Sequence, residues 1–245
     1  AALAVYSLSA SVRGDAAAVK EDVPLVSAPE KAFGGDFDRC WLLAVQLYGV
    51  RSGRNWGIGD FTDLLGLIKL ADHLGADGVG LNPLHALFDD RPGDCSPYSP
   101  NSRLFLNALY IDVEKLPEFQ LDAMTRDALA PLREGDAVDY VAGAGLKWRA
   151  LRSAFAAFKA YAKPRRRKDF DQFRSERNPL LSRFACFEVL RHKFGKPWWE
   201  WPEEWRQPDE AKCAALRQGA DADEIEFVEF VQWTADRQLA ASANF

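Results

Sequence analysis

Trp41-Leu42-Leu43-Ala44-Val45-Gln46-Leu47-Tyr48 is a nearly continuous apolar run of strand length. Such a run suits a parallel strand buried on both faces. The segment after it decides the fold class. A loop, 49–59, carries Arg51, Arg54, Asn55 and Trp56 among its glycines. Asp60 then offers a helix N-cap, and Asp63 adds negative charge to the first turn. Phe61, Leu64, Leu65, Ile68, Ala71 and Leu74 recur at i, i+3, i+4 and i+7, the spacing of one apolar helical stripe. Gly75 is expected to end that helix. A second short apolar strand is expected at 79–84. Residues 41–84 therefore read as a βαβ unit, right-handed by strong default. The loops after both strands, 49–59 and 85–103, should lie at the strands' carboxyl ends. Parallel α/β folds build their sites on that face, so Trp56 and Tyr98 are expected to share it.

The second of these loops holds Cys95-Ser96-Pro97-Tyr98-Ser99-Pro100-Asn101-Ser102-Arg103. Its two prolines fix φ three residues apart and bias Ser96 and Ser99 away from helix. The result is a stiff loop with an aromatic ring at its centre, suited to stacking on a flat apolar ligand face such as a sugar ring. The plainer alternative is a proline-rich connector that happens to bear a tyrosine.

Upstream, residues 1–35 read as short strands with turns. Val5-Tyr6-Ser7-Leu8-Ser9 alternates apolar and polar, while the prolines of 23–29 make it an edge segment. Gly34-Gly35-Asp36 punctuates. From Leu116 the pattern becomes helical, with apolar periodicity over 146–161, 169–173, 180–194 and 225–239. Between the last two lie Trp198, Trp199, Trp201 and Trp205, read as packing residues in preference to a carbohydrate groove. There is no internal repeat.

Composition narrows the function classes. The chain has 245 residues, is 48% hydrophobic and carries a net charge of −5, with pI near 5.4. That balance argues against nucleic-acid binding, and the basic run 163–168 reads as a solvated interhelix connection. No run of 18 apolar residues suggests a membrane span. The four cysteines form no CxxC pair and there are three histidines, so no metal site is expected and a reducing, cytoplasmic setting is. Gly57-Ile58-Gly59 lacks the third glycine of a dinucleotide fingerprint, since Thr62 stands there, and no cofactor is expected. His73 is expected on the helix surface. His85 closes the second strand, where a ligand contact and a supporting role are both open. Asp89, Asp90 and Asp94 could do acid–base work, but sequence spacing supplies no partner base. The first residues lack a basic n-region, and both ends look like those of a fragment.

Residues 41–112 carry a resemblance to a known family. Leu43 to Tyr48, Arg51-Ser52, Asn55 to Phe61, Gly80 to Ala86, Ser96 to Pro100, Arg103 to Asn107 and Tyr110 to Asp112 come in the order and spacing of the 4-α-glucanotransferases. These are the amylomaltases, or disproportionating enzymes. The resemblance implies an α/β fold: the start of a TIM (β/α)8 barrel at 37–115, a helical insertion subdomain at 116–245, and before them the end of a small β module at 1–36. It implies transfer of α-1,4-glucan segments between maltodextrins by a retaining mechanism. Retention needs two carboxyls about 5 Å apart. The family's Arg-x-Asp-His, Ala-Glu-Asp-Leu-Gly and His-Asp patterns do not occur here, so no catalytic residue is assigned and the chain alone is expected to be inactive. By resemblance Tyr98 stacks on the sugar beside the cleavage point with Ser96 near it, and Trp56 and Asn82 shape the same floor. The alternative from another class is a non-catalytic glucan-binding or assembly module. Two strands cannot close a barrel, so self-association of the chain is also expected.

Overall fold

The computed structural model describes residues 4–11, 20–27, 30–31, 34 and 39–244. The chain divides into two units, Ala1–Cys40 and Trp41–Phe245. In the first, β1 (Ala4–Ser11) pairs antiparallel with β2 (Lys20–Ser27), placing Ala4 opposite Ser27 and Pro24 opposite Ser7. The expected strand at 5–9 lies within β1. Residues 28–29 of the edge segment and Gly35-Asp36 of the punctuation lie outside the described residues.

The second unit opens with the expected βαβ order: β3 (Leu42–Val45), α1 (Phe61–His73) and β4 (Gly78–Leu81). β3 and β4 are parallel, with Leu42 opposite Gly78 and Val45 opposite Leu81. Local chemistry sets the ends of α1. Asp60 Oδ1 accepts from the Thr62 and Asp63 amides at 2.9 and 3.0 Å, and the Asp60 amide donates back to Asp63 Oδ2 at 3.0 Å. This is a reciprocal capping box. At the other end Gly75 adopts φ 72°, and the Ala76 amide reaches back to the Ala71 carbonyl at 2.8 Å, as a left-handed C-terminal cap requires.

The apolar run 41–48 is not a strand buried on both faces. Only Leu42–Val45 is extended, Leu47–Gly49 is a 3₁₀ turn, and Trp41 and Leu42 stay about half exposed. Among the described residues β3 has β4 as its single strand partner, so no described strand covers its second edge. A short antiparallel pair comes next, β5 (His85–Ala86) with β6 (Ser102–Leu106).

The remainder is helical: α2 (Ala123–Glu134), α3 (Tyr140–Tyr161), α4 (Pro164–Arg177), α5 (Leu180–Phe194), α6 (Glu203–Arg206), α7 (Glu210–Gln218) and α8 (Ala222–Ala243). α8 is the axis of the core and contacts α1, α3, α4, α5 and α7. Its Phe230 and Trp233 pack among Phe155, Phe158 and Phe170 with ring centroids 5.1–5.8 Å apart for most pairs. Phe61 and Leu64 of α1 belong to the same continuous core. Because helices surround it, α8 is buried well beyond the single stripe its periodicity suggested.

The basic run is only in part a solvated connection: Lys163, Arg165 and Lys168 are exposed, while Arg166 and Arg167 find partners. Pro164 occupies the first turn of α4, where its missing N–H costs nothing. Arg166 holds Glu118 through two hydrogen bonds of 2.9 and 2.8 Å and lies over the Trp233 ring. Arg167 lies over Phe158. The tryptophan loop divides: Trp201 is buried against Phe187 and Phe194 and donates to the Lys196 carbonyl at 2.8 Å, while Trp198 and Trp199 are exposed. No described helix is long and apolar enough to cross a membrane.

Candidate functional site

The loop joining β5 to β6 presents Tyr98 to solvent. Pro97 is buried and anchors the turn, whereas Tyr98 is 67% exposed. The ring is not free to wander, because Asn82 Nδ2, just past the carboxyl end of β4, donates to the Tyr98 hydroxyl at 2.7 Å. Ser96 is exposed in the same turn, its carbonyl accepting from the Ser99 amide at 3.3 Å. The loop closes where the Asn101 amide meets the Ala86 carbonyl at 2.8 Å. The fold thus brings Tyr98 and Asn82 together at the end of a parallel strand, with Ser96 in the same turn as Tyr98.

Trp56 does not join them. It is 2% exposed, donates through Nε1 to Glu114 at 2.8 Å and packs edge-on against Phe119. The whole segment 55–60 is buried, because α2 and α3 cover it. Arg51 donates to the carbonyls of Leu132 and Arg133 at the end of α2, and Arg133 donates in return to the carbonyls of Arg54 and Asn55. Gly57 adopts φ 78° with Leu132 against it, and a Cβ at Gly59 would lie 2.0 Å from the Leu47 carbonyl oxygen. The second half of the loop, 55–59, is therefore an internal brace, while Gly49 and Gly53 stay exposed.

Charges lock this brace. Arg54 pairs with Asp60, Asp63 and Asp112 at 2.5, 3.0 and 2.7 Å. Asn55 donates to the Val50 carbonyl and to Asp63 and accepts from the Gly57 amide. Behind them Lys147, 1% exposed, donates to the carbonyls of Leu109 and Ile111 at 2.5 and 3.1 Å. Burial pushes the Lys147 amine down to about 8 against the pull of Asp60, Asp112 and Asp63. Burial likewise raises the Asp60 carboxyl, opposed by Lys147 and Arg54. Each of these acids has a cation beside it and its side chain is nearly out of solvent.

A second polar cluster joins the Tyr98 loop to α5. Arg191, 8% exposed, pairs with Asp89, with Asp90 at 2.9 Å and with Glu188 at 2.9 Å. His192 Nε2 lies 2.9 Å from Asp89 and 3.3 Å from Arg191. An ionised carboxylate only accepts, so a hydrogen bond to Asp89 requires the proton on Nε2. Asn101 Nδ2 reaches Glu188 Oε1 at 2.5 Å. Sequence spacing supplied no partner for Asp89, and the fold brings one from 103 residues away. Asp89, Glu188 and His192 hold donor atoms within 4.8 Å of one another, and Arg191 already supplies the counter-charge to both carboxylates. Beside this cluster lies a cavity of ≈ 710 Å³ between the loop and the α3, α5 and α8 helices, lined by Phe88, Asp94, Trp148, Phe184, His192 and Phe227 among others. Tyr98 and Asn82 do not line it. His85 is half-buried in β5, and His73 is exposed on α1 as expected.

These features define an α/β protein with a polar and aromatic loop at the carboxyl end of its parallel pair, braced by helices. The chain belongs to the 4-alpha-glucanotransferase family, whose model matches residues 45–245. It is 35% identical over 246 residues to the 4-alpha-glucanotransferase of Haemophilus influenzae, covering 91% of this chain and 35% of that protein. It is 36% identical over 231 residues to that of Mycobacterium tuberculosis, covering 88% of this chain and 31% of the relative. Among solved structures, amylomaltase from Corynebacterium glutamicum superposes with a TM-score of 0.64 at 29% identity, over 84% of this chain and 28% of that one. Amylomaltase from Streptococcus agalactiae, solved with acarbose, shares the fold at the same TM-score and 20% identity. The chain spans about a third of the length of these curated relatives.

Proposed function

We propose that this chain forms the opening of the catalytic barrel of a 4-α-glucanotransferase, from 37 to 115, with 116–245 as a helical insertion and 1–36 as the end of a β module. In this reading the whole protein moves α-1,4-glucan segments between maltodextrins by a retaining mechanism. Residues 41–245 supply part of the substrate floor: Tyr98 as the stacking ring, with Asn82 and Ser96 beside it. The observation that carries the reading is an exposed aromatic ring, oriented by a hydrogen bond at the carboxyl end of a parallel strand, inside the stretch matched by the family. A sugar ring has an apolar face that such a phenol can cover and hydroxyls that Ser96 and Asn82 can bind. Buried Trp56 has no place on that floor.

The chemistry must come from elsewhere in the whole protein. Retention needs a nucleophile and a proton donor across the scissile bond. The most buried acids here, Asp60, Asp112 and Glu229, are each held by arginine. Residues 1–245 alone should therefore show no transfer. The full-length protein given maltotriose should release glucose and build longer dextrins. Tyr98→Ala should lower its kcat/KM about 10-fold or more, the order expected when an aromatic contact and its buried area are lost. Hydrolysis to glucose and maltose without longer products would sink the transferase reading. Unchanged kinetics in Tyr98→Ala would make the loop a connector.

A further inference from the structure

The first half of the loop that carries Tyr98, residues 86–95, has little packing beneath it. Residues 86–95 form one wall of the ≈ 710 Å³ cavity, and α3, α5 and α8 form the other. A segment over a void gains few dispersion contacts on that side, so the loop's position depends on polar attachments near its ends as well as on buried Pro97 and the Asn82–Tyr98 hydrogen bond at its turn. One turn of α5 reaches both ends. Arg191 and His192 take Asp89 at the loop's start, and Arg191 also takes Asp90. Glu188 takes Asn101 at the loop's end and pairs with Arg191, which joins the two attachments into one network. Arg191 also places its guanidinium 5.4 Å from the Phe88 ring centroid. These are charge-assisted hydrogen bonds, several of them largely out of water, where they are strongest.

We propose that Glu188, Arg191 and His192 are positioning residues: one helical turn that clamps both ends of the Tyr98 loop and thereby sets affinity for the glucan. The clamp rests on the reading of Tyr98 as the sugar platform. It touches no sugar itself. Its effect is to hold the ring beside Asn82 before substrate arrives, so that binding does not have to order the loop.

The test uses the full-length protein and two variants at opposite ends of the loop, Asp89→Asn and Asn101→Ala. Asp89→Asn keeps the side-chain volume, and Arg191 retains Glu188 and Asp90, so folding should survive. Each variant should speed amide hydrogen exchange across 86–103 about 10-fold, the order for a lost charge-assisted bond, while α3 and α8 keep wild-type exchange. Each should raise KM for maltotriose by a similar factor with kcat within about twofold, as expected when a step before chemistry is weakened. In a Tyr98→Ala background Asp89→Asn should add less than about twofold, since the two act through one element. Unchanged exchange across 86–103 would overturn the clamp. Full additivity with Tyr98→Ala would overturn its action through the ring. Wild-type kinetics in Tyr98→Ala alone would overturn the platform reading and its link to affinity, while the exchange result still decides whether α5 holds the loop.

Discussion

A methyl group added at Gly59 would lie 2.0 Å from the Leu47 carbonyl oxygen and 2.9 Å from the Val50 side chain. Backbone cannot retreat as a flexible side chain can, so Gly59→Ala should destabilise the unit by at least about 2 kcal/mol through forced displacement of the brace. Gly66, inside α1, has nothing within 4 Å of its would-be Cβ. Gly66→Ala should therefore stabilise by about 0.5–1 kcal/mol through helix propensity. Urea denaturation of the two variants side by side checks both signs, and equal stability would remove the close approach. His192 offers a different kind of check. Its hydrogen bond to Asp89 raises its pKa above the ordinary 6.5, against burial and the Arg191 charge, with Glu188 also adding to the rise. The hydrogen bonds from His192 and Arg191 outweigh burial and lower the Asp89 carboxyl. A raised histidine stabilises fully below its ordinary pKa and loses that contribution as pH rises through the raised value. A lowered carboxylate stabilises above its ordinary 3.8 and loses that as pH falls through the lowered value. The pair is thus strongest from about pH 4 to about pH 6.5. Titration of His192 by NMR should give a pKa above 6.5, falling in Asp89→Asn. A wild-type value no higher than that ordinary one would remove the pair.

Helix α8 docks on the end of β6 and the turn that follows it by supplying side-chain amides where a strand would supply backbone. Gln232 donates to the Leu106 carbonyl and accepts from the Leu106 amide, both at 2.9 Å. Gln238 does the same to Asp112 at 2.9 and 2.8 Å. Two side-chain amides six residues apart thereby satisfy backbone groups that a neighbouring strand would otherwise take. Gln232→Ala should cost about 1–3 kcal/mol, because it strands a donor and an acceptor at once. It should also speed exchange of the Leu106 amide. Retained protection there would show that another group had taken over the contact. The same glutamines pass unnoticed in sequence, because a polar residue on a helix is usually solvated. α2 had a readable signal that periodicity over 116–245 did not register: Asp122 caps it through the Thr125 amide at 2.6 Å, and Leu129 and Leu132 supply its buried side. Without that helix in view, 49–59 looks open.

The second unit keeps one parallel strand pair, β3 with β4, whose outer edges have no strand partner among the described residues. Unpaired strand edges beside exposed Trp41 and Leu42 invite pairing with another copy. The 245-residue chain should therefore self-associate, with sedimentation coefficients rising with concentration, and Leu42→Lys should reduce the rise. A concentration-independent monomer would show that the edge is protected. The main core from α1 to α8, with the smaller cluster of Cys186, Val189, Cys213 and Ile225 sharing α8 with it, should meanwhile make residues 41–244 melt together.

What the sequence alone determined is what short-range chemistry encodes. The N-cap at Asp60 and the acidic first turn at Asp63, the helix stop at Gly75, the stripe of α1 and the parallel order of 41–84 all depend on neighbours within a few residues or on chain chirality. So did the family resemblance and the place of Tyr98 at a strand's carboxyl end. Tertiary structure alone decided which of the expected site residues face solvent. It sealed Trp56 under α2 and α3 and stood Tyr98 on Asn82. It brought Arg191 and His192 to Asp89 and gave the basic run aromatic and acidic partners. The physical reason is distance along the chain. Burial and ion pairing depend on groups as far apart as His192 and Asp89, 103 residues from one another, and no local pattern records which of them will meet.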